Sequence, residues 1–275
     1  MTTGGGGADM SRLGLRQVPM ILMYHGVEDV AWDPHGLCVT PARFAEQLAW
    51  LADQGLRGVS MAELVDAMRA GRERGLVGIT FDDGYVNVLE NAVPELVRRG
   101  FTATTFILSG LLGKVSEWED MKPRWPLMTA GQVVEVAAAG MEIGSHTATH
   151  PYLRGIAAGQ LKAEVSGSKS DLSELTGRPV RGFAYPYGKQ DAAARRAAAD
   201  AGYDYACAVE TPPADLGIMA LPRITFSQRD DARRMAVKKA FFRSYTAALG
   251  TRRMLSYNPA AQAVKQRLTA LARRG

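Results

Sequence analysis

The stretch GLVGITFDDG, residues 75–84, is an apolar run that closes with two acids and a glycine. An apolar run of this length, bounded by glycines, is typical of a buried β-strand. The segment before it, MAELVDAMRAG at 61–71, has the apolar spacing of a helix, and so has YVNVLENAVPELVRRG at 85–100 after it. A strand between two helices indicates a β/α unit of a parallel sheet.

The same alternation continues in both directions along the chain. Further strands are predicted at VPMILMY, RGVS, TATTFILSG, MEIGSH, VRGFAYP, DYACAVE and LPRITF. With seven or eight strands in this pattern, we favour a closed or nearly closed α/β barrel over an open sheet. We therefore divide the chain into a disordered N-terminal segment at 1–17, a barrel at 18–228 and a basic helical tail at 229–275.

The composition limits the class of protein. The chain has 275 residues, 47% of them hydrophobic, which suits one large α/β domain with an appendage. No apolar run approaches the ~20 residues that span a bilayer, and residues 1–17 lack the pattern of a secretory signal. Cys38 and Cys207 make no disulfide framework. We therefore expect a cytoplasmic protein with reduced thiols.

The net charge of +5 is distributed unevenly. From Arg229 onward the sequence has twelve Lys and Arg against two Asp, whereas the rest has 21 Lys and Arg against 26 Asp and Glu. A nucleic-acid partner is not expected, because the body of the protein is not basic. The tail has the spacing of amphipathic helices. It could pack on the barrel with its charges in water, contact a membrane surface peripherally, or bind a partner.

Polar residues that can do chemistry follow the ends of predicted strands. Asp82 and Asp83 follow the strand quoted above, His146 follows MEIGS, and Tyr187 follows VRGFAYP. Parallel-stranded barrels carry their active sites at the carboxyl ends of the strands. Three separate strands are thus predicted to bring candidate residues to one rim.

Three of these residues, Asp82, Asp83 and His146, suit a metal site with a base beside it when His150 joins them. His146 and His150 stand four residues apart in SHTATHP, so a turn can place both imidazoles on one side. Two imidazoles, one carboxylate and an open position suit catalytic Zn²⁺ or a similar ion. Asp82 and Asp83 leave a strand in opposite directions, so one can bind the metal while the other accepts a proton. The alternatives are surface histidines and an ordinary Asp-Asp-Gly turn.

Taken together, TFDDGY, HTATH and FAYPYG resemble the motifs of the NodB-type polysaccharide deacetylases, carbohydrate esterase family four. The resemblance covers roughly residues 18–226 and implies a distorted (β/α) barrel of about seven parallel strands. It also implies roles: Asp82 as general base, Asp83 with His146 and His150 as metal ligands, Pro186 and Tyr187 as groove wall, and the Tyr187 backbone N–H as an oxyanion donor. The implied cofactor is one divalent ion, with Zn²⁺ favoured and Co²⁺, Ni²⁺ or Mn²⁺ also compatible.

The resemblance breaks at two positions. The family's usual general acid is a histidine in a late Leu-x-His motif, whereas LPRITF has Arg223 there, and Ala184 stands where the third motif has an arginine. The opening MYHGV resembles a branch that includes the biofilm poly-N-acetylglucosamine deacetylases, whose motif order is permuted. That branch implies His25 as general acid and leaves Arg223 to orient Asp82. A loop-bonding histidine and a surface arginine are the alternatives.

The expected activity is that of a hydrolase that releases acetate from an N-acetylated sugar or glycan intermediate. In a cytoplasmic protein, a soluble or lipid-linked intermediate is easier to reconcile with this activity than a secreted polymer. Two other functions remain open. The chain could hydrolyse another C–N amide, as deformylases and amidases do, or it could be a carbohydrate-binding barrel whose catalytic site is retired. The sequence does not indicate an oligomeric state.

Overall fold

The computed structural model describes residues 18–117, 124–209 and 217–257, with side chains as far as Ala247 in the last range. The predicted disorder at 1–17 lies outside the described residues. The strands are β1 (Ile21–Tyr24), β2 (Gly26–Val27), β3 (Cys38–Val39), β4 (Arg57–Val59), β5 (Leu76–Phe81), β6 (Thr104–Ile107), β7 (Glu142–Ser145), β8 (Gly182–Ala184), β9 (Tyr205–Ala208), β10 (Leu221–Pro222) and β11 (Ile224–Thr225).

Helices connect the strands, and two of them contain a π-helical turn. The α-helices are α1 (Pro41–Asp53), α2 (Met61–Arg69), α3 (Val93–Arg98), α4 (Ala130–Ala138), α5 (Ala158–Lys162), α6 (Ser168–Thr176), α7 (Ala192–Asp200) and α8 (Ala232–Tyr257). The π-helical turns are Val88–Ala92 before α3 and Ala163–Gly167 between α5 and α6.

The main sheet closes into a barrel through one short segment. Its order is β10, β9, β8, β7, β6, β5, β1, β11, with β4 beside β5, and all of these pairs are parallel. Only Arg223 separates β10 from β11, so one stretch of chain pairs with β9 at its start and with β1 at its end. The Arg223 N–H donates to the Ala208 carbonyl, and the Phe226 N–H donates to the Met23 carbonyl. The expected barrel of parallel strands is confirmed.

The barrel interior is filled by side chains, so a ligand site can lie only at the rim. Alternate residues of each strand point inward. The rings of Phe106 and Tyr205 are fully buried there. Gly144 and Gly182 make room for them, because a Cβ on Gly144 would collide with the Phe106 ring and one on Gly182 with the Tyr205 hydroxyl. At this level the barrel is therefore a packed core and not a channel.

The helix starts follow local sequence signals, with one difference. α1 begins directly after Thr40, whose hydroxyl accepts the Arg43 N–H at 3.2 Å. The Ser60 hydroxyl accepts the Glu63 N–H at 3.2 Å, which is one half of a capping box. The other half does not form, because the Glu63 carboxylate pairs with Arg57 at 2.6 Å. The Ser60 N–H donates instead to the Thr102 hydroxyl at 2.9 Å.

The first part of the predicted basic tail forms α8, which lies against the barrel. Met235, Phe242 and Thr246 are buried on its inner side. Among the described residues, no helix is both long enough and apolar enough to cross a membrane. The second predicted tail helix, in AAQAVKQRLTALARRG, falls outside the described residues, and the domain boundaries at 17 and 228 stay predictions.

Candidate active site

The barrel brings the predicted residues together at the carboxyl end of its strands. Asp82 follows β5, His146 follows β7, His25 follows β1, and Arg223 lies between β10 and β11. Because strand residues alternate, Asp82 continues the inward-facing series of β5 and His146 that of β7. The rim predicted from the ends of the strands is therefore present.

The centre of the rim is a buried cluster of one carboxylate and two imidazoles. The Oδ1 atom of Asp83 lies 3.4 Å from Nε2 of His146 and 3.5 Å from Nε2 of His150. One ligand atom from each of the three residues lies within 4.8 Å of the other two. All three side chains are buried. The three predicted metal ligands thus face one common point.

These residues fit a divalent cation. Nδ1 of His146 lies 2.8 Å from the Ala184 carbonyl, which can only accept, so Nδ1 carries a proton. In the neutral ring Nε2 then presents its lone pair to the cluster. The Oδ1 atom of Asp83 is buried and has no hydrogen bond within the described ranges. Such an oxygen costs free energy unless a cation compensates it. One carboxylate with two imidazoles is also a donor set that Zn²⁺ accepts.

The charges of the cluster act on one another. Burial raises the pKa of Asp83, but the neighbouring histidines outweigh it and hold that pKa below its usual range. Burial lowers the pKa of His150 to about 3, so its imidazole is neutral and can bind a metal. For His146, burial lowers the pKa, while the carboxylates of Asp82 and Asp83 raise it above the usual value.

Backbone strain in the described ranges concentrates at this site. The non-glycine residues with positive φ there are Asp83 at 73°, Thr147 at 77°, His150 at 64° and Tyr187 at 58°. Each such conformation costs about 1–3 kcal/mol and persists only where the surroundings hold it. Their clustering is typical of a functional site, because the strain orients side chains that a relaxed loop would point elsewhere.

Glu164, which the sequence analysis missed, clamps the loop that carries His150. Its Oε2 atom accepts the N–H groups of Ala148 and Thr149, both at 2.9 Å, and its Oε1 atom accepts the Thr149 hydroxyl at 2.6 Å. The residue lies in the π-helical turn between α5 and α6. A glutamate in a helix carries no sequence signal for such a contact, so only the fold reveals it.

We expect Glu164→Ala to weaken metal binding by about 10- to 100-fold, because groups that orient metal ligands typically contribute that much. The loop would lose three hydrogen bonds that hold His150 in its strained conformation. Zn²⁺ titration by calorimetry against a competing chelator measures the change. Glu174→Ala is the matched control, since Glu174 is an exposed glutamate on α6. Equal Zn²⁺ affinity in wild type and Glu164→Ala would contradict the role.

Beside the cluster, Asp82 forms a buried ion pair with Arg223. Nη1 of Arg223 lies 2.6 Å from Oδ1 of Asp82, and Nη2 lies 2.7 Å from Oδ2. Nη1 also donates to the Thr80 hydroxyl at 3.1 Å, and the guanidinium lies over the Phe106 ring at 5.6 Å. Burial raises the pKa of Asp82, but the positive charges of Arg223 and His146 outweigh it and keep that pKa below its usual value. Asp82 is therefore ionised at neutral pH.

His25 lies at the same end of the barrel and is half-buried. It is close enough for its charge to lower the pKa of both Asp82 and Asp83. His25 follows β1, which is separated from β7 by β5 and β6 in the sheet.

Tyr187 sits in a short turn, Pro186–Gly188, that follows β8. Its ring meets the His150 ring edge-on, with centroids 4.5 Å apart, and stacks on Tyr152 at 3.9 Å. Tyr152 keeps 43% of its surface exposed. The sequence analysis did not single out Tyr152, although it follows the HTATHP motif directly. The two tyrosines form one wall at the mouth of the site.

Comparisons with known proteins place similar chains in one family. The family described as "Polysaccharide deacetylase" matches residues 69–206, which contain the Asp-Asp pair and both histidines of the cluster. Among curated relatives, YxkH of Bacillus subtilis, whose name assigns it provisionally to the polysaccharide deacetylases, is 28% identical over 211 residues. That alignment covers 75% of this chain and 71% of YxkH.

A second curated relative and a solved structure are aligned over different shares of their own length. The poly-beta-1,6-N-acetyl-D-glucosamine N-deacetylase of Escherichia coli K12 is 31% identical over 135 residues, which is 46% of this chain and 20% of that enzyme. The structure of the Streptococcus pyogenes deacetylase PplD in complex with acetate has a TM-score of 0.68 and 25% identity. It covers 80% of this chain and 97% of that one.

Proposed function

We propose that the chain, which belongs to the polysaccharide deacetylase family, is a metal-dependent hydrolase. It removes the acetyl group from an N-acetylated sugar or glycan intermediate. The observation that carries the proposal is the ionised, buried Asp82 next to the Asp83, His146 and His150 cluster. A binding module needs neither a strained metal-ligand set nor a spare carboxylate held ionised by an arginine.

The cluster supplies the electrophilic part of the reaction. When bound by Asp83, His146 and His150, a divalent cation supplies Lewis acidity, which acidifies a water and polarises the acetamide carbonyl. Asp82 accepts the proton of the attacking water as general base. Arg223 grips both carboxylate oxygens of Asp82, so it fixes the orientation of the base and keeps it ionised.

Three further residues complete the proposed site. The backbone N–H of Tyr187 donates to the oxygen that gains negative charge as the water adds to the carbonyl carbon. Pro186 and the Tyr187 ring confine the sugar beside it. His25 donates a proton to the leaving nitrogen as the C–N bond breaks, so the products are acetate and a free amine. The position of His25 after the first strand supports the permuted arrangement inferred from MYHGV.

The substrate class follows from the family and from one relative. The name of the E. coli relative specifies a polymer of N-acetyl-D-glucosamine, and this chain aligns with 20% of that enzyme. We extend the class, not the polymer, to this chain: an N-acetylated sugar or glycan intermediate, soluble or lipid-linked, whose acetamido group reaches the rim. The proposed location is the cytoplasm, including the inner face of the membrane, and Zn²⁺ is the preferred ion.

Acetate release tests this function. Purified chain, stripped with a chelator and reloaded with Zn²⁺ or Co²⁺, is incubated with soluble and lipid-linked N-acetylated sugars. We expect acetate and free amine in equal amounts, and only in the metal-loaded samples. N-formyl analogues and simple acetamides in the same panel test the alternative amide substrates. Zn²⁺ binding without acetate or amine release from any member of the panel would instead support a carbohydrate-binding barrel that has lost catalytic activity.

A further inference from the structure

β2, the short strand directly after the proposed general acid, is held along both of its edges. On one edge it pairs in parallel with β3. The Gly26 N–H donates to the Leu37 carbonyl at 3.1 Å, and the Glu28 N–H donates to the Val39 carbonyl at 2.9 Å. The polar backbone groups of successive strand residues point to opposite edges, so the N–H and carbonyl of Val27 face away from β3 and need other partners.

Two asparagine side chains are those partners. Oδ1 of Asn87 accepts the Val27 N–H at 3.2 Å, and Nδ2 of Asn91 donates to the Val27 carbonyl at 2.7 Å. Nδ2 of Asn87 donates to the Glu28 carboxylate at 3.0 Å. Asn87 is buried. The two amides therefore take the place of a neighbouring strand along the second edge of β2.

The asparagines connect the two halves of the proposed active site. Asn91 lies in the π-helical turn Val88–Ala92 and Asn87 directly precedes it, a few residues after Asp83. Such turns are frequent at functional sites. A Cβ on Gly26 would lie 2.7 Å from the sulfur of Cys38 and 3.2 Å from the Asn87 amide, so only glycine allows this close approach. The segment after the metal-ligand carboxylate is thus bonded to the segment after the proposed acid.

We propose that Asn87 and Asn91 are positioning residues that hold His25 in place for proton transfer to the leaving nitrogen. On its other side, His25 follows β1, which is fixed by parallel pairing with β5 and β11. A general acid must stay within hydrogen-bond reach of the atom that it protonates. The inference rests on the proposed function of His25, and neither asparagine is placed at a reacting atom.

Rates for two kinds of leaving group test this role. Asn87→Ala/Asn91→Ala should lower kcat on an N-acetylated sugar by about 10²-fold, the usual effect of a displacement of about 1 Å. KM should stay nearly unchanged, because the lost interaction acts in the transition state. Hydrolysis of an aryl acetate needs no protonated leaving group, so its rate should also stay nearly unchanged. Asn91→Ala alone removes one hydrogen bond of a half-buried residue and should show a smaller loss of the same kind.

The matched control is Ser60→Ala. It removes one hydrogen bond from a side chain to the backbone, at the start of α2. The Ser60 N–H contacts Thr102, just before β6 begins, so this residue lies towards the amino end of the strands and away from His25. Ser60→Ala should leave the rates on both kinds of substrate unchanged.

A spectroscopic measurement tests the positioning even if no substrate is found. The chain has four histidines, so ring signals of ¹⁵N-histidine-labelled protein can be assigned by single substitutions. Asn87→Ala/Asn91→Ala should shift or broaden the His25 ring signals and leave those of His146 and His150 in place. Unchanged His25 signals would overturn the proposal, as would an equal loss of rate on both kinds of substrate. Absence of acetate release from wild type would contradict the deacetylase activity, and the His25 signals would then decide the positioning role.

Discussion

Asp82→Asn is expected to lower kcat of deacetylation by about 10²- to 10⁴-fold, the usual contribution of a general base. Asparagine keeps the shape of the side chain but cannot accept the proton of the attacking water. The three residues of the metal cluster are unchanged, so Zn²⁺ should still bind. Rates of acetate release at saturating substrate, together with Zn²⁺ affinity by calorimetry, measure the two effects separately.

Comparing Asp82→Asn with His25→Ala distinguishes the proposed general base, Asp82, from the proposed general acid, His25. His25 is expected to act on the leaving nitrogen, so its loss should matter less for substrates whose leaving group needs no protonation, such as aryl acetates. Asp82→Asn should lower the rate of hydrolysis of both kinds of substrate, because both reactions require an activated water. If Asp82→Asn kept the wild-type kcat on an N-acetylated sugar with Zn²⁺ bound, Asp82 would not be the base.

Arg223→Met is expected to destabilise the fold by about 3–5 kcal/mol, because it leaves the Asp82 carboxylate buried without its partner. The side chain of Arg223 has no exposed surface, and that of Asp82 is 4% exposed. The midpoint and slope of urea unfolding measure the free energy of unfolding. Arg223→Lys should retain part of the stability but lose the bidentate hydrogen bonding to the Asp82 carboxylate.

The double variant Asp82→Asn/Arg223→Met is the control for this pair. Removing both charges leaves no buried charge without a partner, so the double variant should be more stable than Arg223→Met alone. A double variant as unstable as the sum of the two single changes would show that Asp82 and Arg223 do not act as a pair.

The pH dependence of the same variants has a definite sign. In the folded wild type the pKa of Asp82 is below its usual value, so the pair stabilises the fold above pH ~4 and loses this contribution as the pH falls through the folded pKa. In Arg223→Met, burial without the guanidinium raises the pKa of Asp82. The stability difference between the two proteins should therefore narrow in acid. The acidic limb of kcat/KM should move to higher pH in Arg223→Met.

Residues close in sequence to the end of a strand were the ones that could be predicted from sequence. Asp82, Asp83 and His146 follow apolar runs directly, and a strand with its successor is a local pattern with a fixed period. His150 follows from its four-residue spacing to His146. The family resemblance then assigned roles to positions that local chemistry had left open between a metal site and an ordinary turn.

By itself, then, the sequence determined the alternation of strands and helices, the rim that collects the polar residues, and the kinds of side chain in the candidate metal site. Tertiary structure alone decided which partners meet. The closure of the barrel at 221–225 places Arg223 against Asp82 across 141 residues, and the π-helical turn aims Glu164 at the His150 loop. Such contacts depend on the closure of the barrel and on the direction of single side chains. Neither produces a periodic pattern in the sequence. For the same reason, only the tertiary structure shows that Asn87 and Asn91 bond the backbone of Val27.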